Sequence, residues 1–159
     1  MDIRKILCVD GENICHSVIM EALFKRAIQE AEAKRRSPEY DLSTSKVIGI
    51  TVESTRTYHP KSTTVSVGAG AIAYMKELGI DISGHTVRSV SQINIDDFDL
   101  IICFSPRDVK AISEYLPRGL VLLADKGGLS DHVFDQQQFQ NLVEGISNFV
   151  DSAIKTLFA

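Results

Sequence analysis

Asp10, Glu12 and His16 stand two and four residues apart, directly after an apolar run, in the stretch KILCVDGENICHSVIMEALF. Three chemistries are open to such a set. Two carboxylates and an imidazole are competent ligands for a divalent cation. An aspartate at a strand end, followed by D-x-[DE] spacing, has the shape of an aspartyl-phosphate site, which needs Mg²⁺ and a basic partner. A strand that turns at once into a helix points backbone N–H groups outward, and those groups with the helix dipole favour an anion. The helix dipole opposes a bound cation, and a fourth metal ligand is missing. Yet Asp10–Ser17 contains no Lys or Arg. The reading that reconciles an anion cradle with its own acids is that the Asp10 carboxylate takes the N–H groups an exogenous anion would have used, because an empty nest of donors costs energy. On that reading Asp10→Asn weakens the fold near neutral pH. Asn13 suits the unusual backbone of such a loop, and Ser17 suits a loop or capping hydrogen bond.

These residues need a scaffold. Lys5–Val9 reads as a buried strand, and Ile14–Arg35 follows with helical spacing of Ile14, Val18, Leu23 and Ala27. Lys46–Val52 reads as a second strand. A long polar connection then runs from Glu53 to Gly70, longer than loops usually are without a job. Ala69–Leu78 is expected to be helical, with Gly79 as its stop. Phe98–Phe104 is a strand, Pro106–Tyr115 a helix with proline in its first turn, Gly119–Leu123 a strand, and Gln136–Phe158 a long final helix. Alternating apolar strands and helices predict an α/β fold: about four parallel strands in three layers, with helices on both faces. Ligands in such sheets sit beyond the carboxyl ends of the strands, which again selects Asp10–Ser17.

The whole chain sets bounds. Its 159 residues, 44% hydrophobic and 24% charged, fit one domain spanning 1–159. A net charge of −4 without a basic block disfavours nucleic acid as a partner. No apolar segment reaches the ~20 residues needed to span a bilayer, and the N-terminal apolar run is too short for a signal peptide. A cytoplasmic location is expected, with no membrane partner. Cys8 and Cys103 lie inside apolar runs and read as small buried hydrophobes; Cys15 lies in the loop.

The loop and much of the chain resemble the low-molecular-weight protein tyrosine phosphatases, whose relatives include the thioredoxin-coupled arsenate reductases. Where that family reads V-C-L-G-N-I-C-R-S-P and then M-A-E-A, this chain has Val9-Asp10-Gly11-Glu12-Asn13-Ile14-Cys15-His16-Ser17-Val18, then Met20-Glu21-Ala22. Met75–Ser91 (MKELGIDISGHTVRSVS), Phe98–Ile112 (FDLIICFSPRDVKAI) and Leu129–Ile154 are similar to family segments in the same order. The resemblance implies the four-stranded phosphatase sheet. It also implies roles: Asp10 stands at the position of the nucleophilic cysteine, His16 at that of the phosphate-gripping arginine, and Asp131 at that of the general acid, although His132 follows it where the family has proline. Gly11, Glu12, Asn13, Ile14, Cys15 and Ser17 fill the anion loop, with Glu12 at a family glycine. Tyr58, His59 and Phe134 fall on the rim, in the loops Thr55–Val67 and Asp125–Asp135.

Family catalysis needs a low-pKa thiolate, a cationic clamp and an acid for the leaving oxygen. Only the last has a counterpart. Cys15 matches the second loop cysteine, but its redox partner is replaced by Asp10, and Glu21 stands where an arginine would have to follow it. A half-exposed loop histidine at position 16 is expected to be solvated. The expectation is a non-catalytic binding or regulatory module with no cofactor, whose partner is a protein or a small molecule. The alternative is altered phosphatase or arsenate-reductase-like chemistry by Asp10, His16 and Asp131.

Overall fold

The computed structural model describes residues 2–11, 15–35, 49–57, 68–124 and 136–158. Four parallel strands, β1 (Lys5–Asp10), β2 (Thr51–Arg56), β3 (Leu100–Cys103) and β4 (Leu120–Leu123), form one sheet in the order β2-β1-β3-β4. The helices are α1 (His16–Arg35), α2 (Ala69–Glu77), α3 (Pro106–Ser113) and α4 (Gln136–Leu157), with two 3₁₀ turns at Val90–Gln92 and Ile95–Asp97.

β1 is central because it is apolar on both sides. Ile6 and Cys8 pack with Leu100, Ile102 and Phe104 against Ile19, Met20 and Phe24 of α1 and Leu142, Ile146 and Val150 of α4. Leu7 and Val9 pack with Ile101 and Cys103 against Ile112 of α3 and Val90, Ile95 and Phe98. This is the period-two alternation of a strand covered on both faces. The start of β1 is tied to β3 by Asp99, whose Oδ2 accepts from the backbone N–H groups of Arg4 (2.8 Å) and Lys5 (2.9 Å). Gly119 leads into β4 where the chain crowds β3. A Cβ there would lie 2.5 Å from Phe98 O and 2.8 Å from Asp99 O, so only glycine fits.

β2 differs from its expected position. The apolar VIGI suggested Lys46–Val52, yet the strand is Thr51–Arg56, and Gly49 precedes it with φ +68°. β2 is an edge strand of mostly polar sequence, TVESTR, so a continuous apolar run is the wrong signal for it. Glu53–Arg56 therefore belongs to the sheet and not to the polar connection, and Thr55 is strand, not rim loop. Other boundaries move by two residues or fewer, as helix and strand ends do.

Candidate functional site

Asp10 closes β1 and His16 opens α1, so both stand at the carboxyl edge of the sheet. Asp10 is 4% exposed. Ser17 Oγ donates a 2.5 Å hydrogen bond to Asp10 Oδ1. The other carboxylate oxygen, Oδ2, lies 3.4 Å from His16 Nδ1. A buried carboxylate is costly without donors, and these two side chains from the first turn of α1 meet part of that demand.

His16 is not solvated. Its side chain is 13% exposed, and the imidazole stacks on Phe104, with ring centroids 4.1 Å apart and an interplanar angle of 29°. Phe104, at the end of β3, reaches this place because even-numbered residues of β1 and β3 share the α1 face. The neighbouring strand thus supplies the platform that turns the ring inward, which a loop reading of position 16 had no means to foresee. Among the described residues, His16 Nε2 is buried without a hydrogen-bond partner.

A second carboxylate joins the cluster. Asp108, in the first turn of α3, is 3% exposed, and its Oδ2 accepts from Ser105 N–H (3.0 Å) and Ser105 Oγ (2.9 Å). Burial pushes its carboxyl above the ordinary range; the two Ser105 bonds oppose that, Asp10 pushes further up, and His16 pulls down. Sequence reasoning missed Asp108. The signal was the S-x-x-D capping pattern Ser105-Pro106-Arg107-Asp108 beyond an apolar strand, at the same sheet edge as the first loop.

Burial, aided by the charge of Asp10, pushes the Cys15 thiol up to about 12. Cys103 is raised to about 12 by burial and by Asp108, and Cys8 is raised well above the ordinary thiol, chiefly by burial. Cys15 packs against the core at the helix start. A Cβ added at Gly11, which follows Asp10, would meet nothing within 4 Å among the described residues. Farther along α1, Glu21 accepts from Ser54 Oγ (2.7 Å) and Lys25 Nζ (2.8 Å) and lies 3.5 Å from His85 Nδ1.

The structure brings together Asp10, His16 and Ser17, with Gly11 and Cys15 beside them. Glu12, Asn13, Ile14, Tyr58, His59, Asp131 and Phe134 lie outside the described residues. Among the described residues no group of three His, Cys, Asp or Glu side chains has the geometry to hold a metal ion, and no helix is long and apolar enough to cross a membrane.

No family model matches the chain. A glutaredoxin arsenate reductase of Synechocystis sp. is 34% identical over 86 residues, which take in 48% of this chain and 66%, just short of two thirds, of that protein. Among solved structures, Wzb of Vibrio vulnificus in complex with benzylphosphonate superposes with a TM-score of 0.75 at 20% identity, covering 96% of this chain and 98% of that one. A low-molecular-weight phosphotyrosine phosphatase of Vibrio cholerae O395 gives 0.76 at 16% identity, covering 97% and 96%.

Proposed function

We propose that this chain, which has the fold of the low-molecular-weight protein tyrosine phosphatases, is a non-catalytic binding or regulatory module whose anion loop is served by its own carboxylate. The observation that carries this reading is the inward Asp10, 4% exposed, bonded through Oδ1 to Ser17 and facing His16 through Oδ2. A phosphoryl dianion entering the same place meets a like charge; at ~4 Å and an effective dielectric near 20 each pair of unit charges repels by about 4 kcal/mol. The loop position of the phosphate-gripping arginine holds His16, which stacks on Phe104 instead, so bidentate charge-assisted bonds are lost from the loop.

The test is turnover of an aryl phosphate by the purified protein. The expected result is no rate above that of buffer. A clear rate that disappears in Asp10→Ala overturns the reading.

One observation favours a second reading. A carboxylate facing Nδ1 while Nε2 makes no hydrogen bond is an arrangement that orients an imidazole for proton transfer, and among the described residues Asp10 and His16 have it. That reading keeps hydrolytic chemistry on Asp10, His16 and Asp131, and predicts a turnover lost in His16→Gln. The arsenate-reductase relative suggests thiol chemistry as a further variant; a Cys15 thiol near 12 opposes it, because the thiolate is the reactive form.

A further inference from the structure

Two buried side-chain nitrogens lack a hydrogen-bond partner among the described residues, His16 Nε2 and Arg56 Nε. Both belong to neighbours of Asp10. His16 Nδ1 is 3.4 Å from the Asp10 carboxylate, and Arg56 is the register partner of Asp10 across the β1–β2 pair. Adjacent parallel strands lie about 4.8 Å apart, and register partners project to the same face. For β2 that face is fixed two residues earlier, where Ser54 Oγ donates to Glu21 of α1. Arg56 therefore leaves the sheet on the α1 side, beside Asp10, at the carboxyl edge.

The backbone around Arg56 is held from both sides. Its N–H donates to Arg88 O (2.8 Å), the following Thr57 N–H donates to Asp10 O (3.1 Å), and a bridge joins Arg56 to Ser89. A guanidinium fixed at its root is pre-organised for planar, two-pronged recognition. Buried donors without partners are rare in folded proteins, and a bound ligand or ion is one of the few explanations for them. Here both unpaired nitrogens belong to residues that adjoin Asp10, His16 through its ring and Arg56 through strand register.

We infer that Arg56 is the anion-gripping residue of this cleft, and that the ligand is a carboxylate bound between Arg56 and His16 outside Asp10. This rests on the reading of Asp10 as the loop's own anion. The charge balance selects the ligand. Asp10 offsets Arg56, and Asp108, whose carboxyl is held above its usual range, adds no cation. With one guanidinium against these acids, a monoanion adds a single like charge where a phosphate dianion adds two. The guanidinium donates to the carboxylate plane, and His16 presents Nε2 to the ligand while Nδ1 lies against Asp10.

The experiment is a titration of the ¹⁵N-labelled protein with sodium acetate, sodium benzoate and inorganic phosphate at constant ionic strength, following the Arg56 Nε–H and backbone resonances. The expected result is saturable binding of a carboxylate that moves the Arg56 Nε–H signal. It weakens at least tenfold in Arg56→Gln, the scale of one charge-assisted hydrogen bond, is partly kept in Arg56→Lys, and is unchanged in Arg88→Gln. Should Arg56→Gln fail to fold, the Arg56 resonance of the wild type decides alone. No saturable carboxylate shift, a shift that leaves Arg56 unmoved, or phosphate binding more tightly than either carboxylate overturns the inference. Aryl-phosphate turnover defeats the non-catalytic reading whatever the titration gives. A failed titration without turnover defeats only this inference.

Discussion

Ser17 Oγ and Asp10 Oδ1 meet at 2.5 Å, joining the first turn of α1 to the last residue of β1 with a hydrogen bond that is buried at both ends. Removing the hydroxyl leaves a buried carboxylate short of a donor, which costs about 1–3 kcal/mol. Ser17→Ala is expected to lower the urea-unfolding free energy at pH 7 by that amount. Asp10→Asn is expected to destabilise as well, and the two substitutions together to cost less than their sum by at least ~0.5 kcal/mol. Strict additivity in the double-mutant cycle would show that the contact carries no coupling.

The cysteines are expected to be inert. Moving a thiol from 9.0 to about 12 cuts its thiolate fraction on the order of a thousandfold near neutral pH. Alkylation of the native protein by iodoacetamide at pH 8 is expected to lag the urea-unfolded protein by that order. The linkage has a sign. The unfolded thiols lose their protons near 9.0 while Cys15 and Cys103 keep theirs to about 12. The stability they contribute is full below pH 9 and is lost as the pH rises toward 12. Rapid alkylation of native Cys15 at pH 8 contradicts this account.

Asp108 gives an opposite kind of pH dependence from an ordinary paired carboxylate. Its folded pKa lies above 3.8, with burial as the main cause. In the window just above 3.8 the native state holds a proton that the unfolded chain has released, so stability falls as the pH rises through that window. Asp108→Asn keeps an acceptor for Ser105 and removes the charge. As the pH rises above 3.8 the wild type is expected to lose stability relative to this variant, measured by chemical denaturation at each pH. A difference that grows in the other direction refutes the assignment. Asp108→Ala, which also removes the cap, is expected to cost about 1 kcal/mol at low pH.

Gly119→Ala tests the packing that brings β4 against β3. The added methyl group meets the backbone carbonyls of Phe98 and Asp99, and backbone yields less readily than a side chain. A loss of about 1–3 kcal/mol is expected, read from the unfolding midpoint at unchanged slope. Gly68→Ala, where no atom lies within 4 Å of the new Cβ, is the control and is expected to change little.

Much of this molecule was legible before any coordinates. Ile6–Val9 and Leu100–Cys103 are continuous apolar runs because both sides of those strands are covered, and that pattern, alternating with amphipathic helices, gave the parallel sheet. The strand and helix expected on either side of the first loop are β1 and α1. What the chain hid was whatever depended on neighbours far away in sequence. The ring of His16 is turned inward by Phe104, Asp108 arrives on α3, and Arg56 becomes a neighbour of Asp10 only through strand register. β2 departs from its expected place because TVESTR is mostly polar and lacks the continuous apolar signature that β4, also at a sheet edge, keeps in LVLL. Local pattern records what a residue buries; it does not record which strand will lie beside it.

The central position of β1 also sets the order in which the cleft can come into being. Arg4 and Asp99, which lock β1 to β3, are 95 residues apart, and β1 pairs in parallel with β2 and β3, each reached only by a crossover. Such distant pairings are slow to find, since the loop entropy is lost before the contacts form. Until β3 docks, His16 has no aromatic platform and Asp10 keeps its water. The Asp10 carboxylate is thus dried late, by the arrival of a strand from the other half of the chain. Refolding followed by hydrogen exchange would show the Asp10 neighbourhood protected after α1 and not with it.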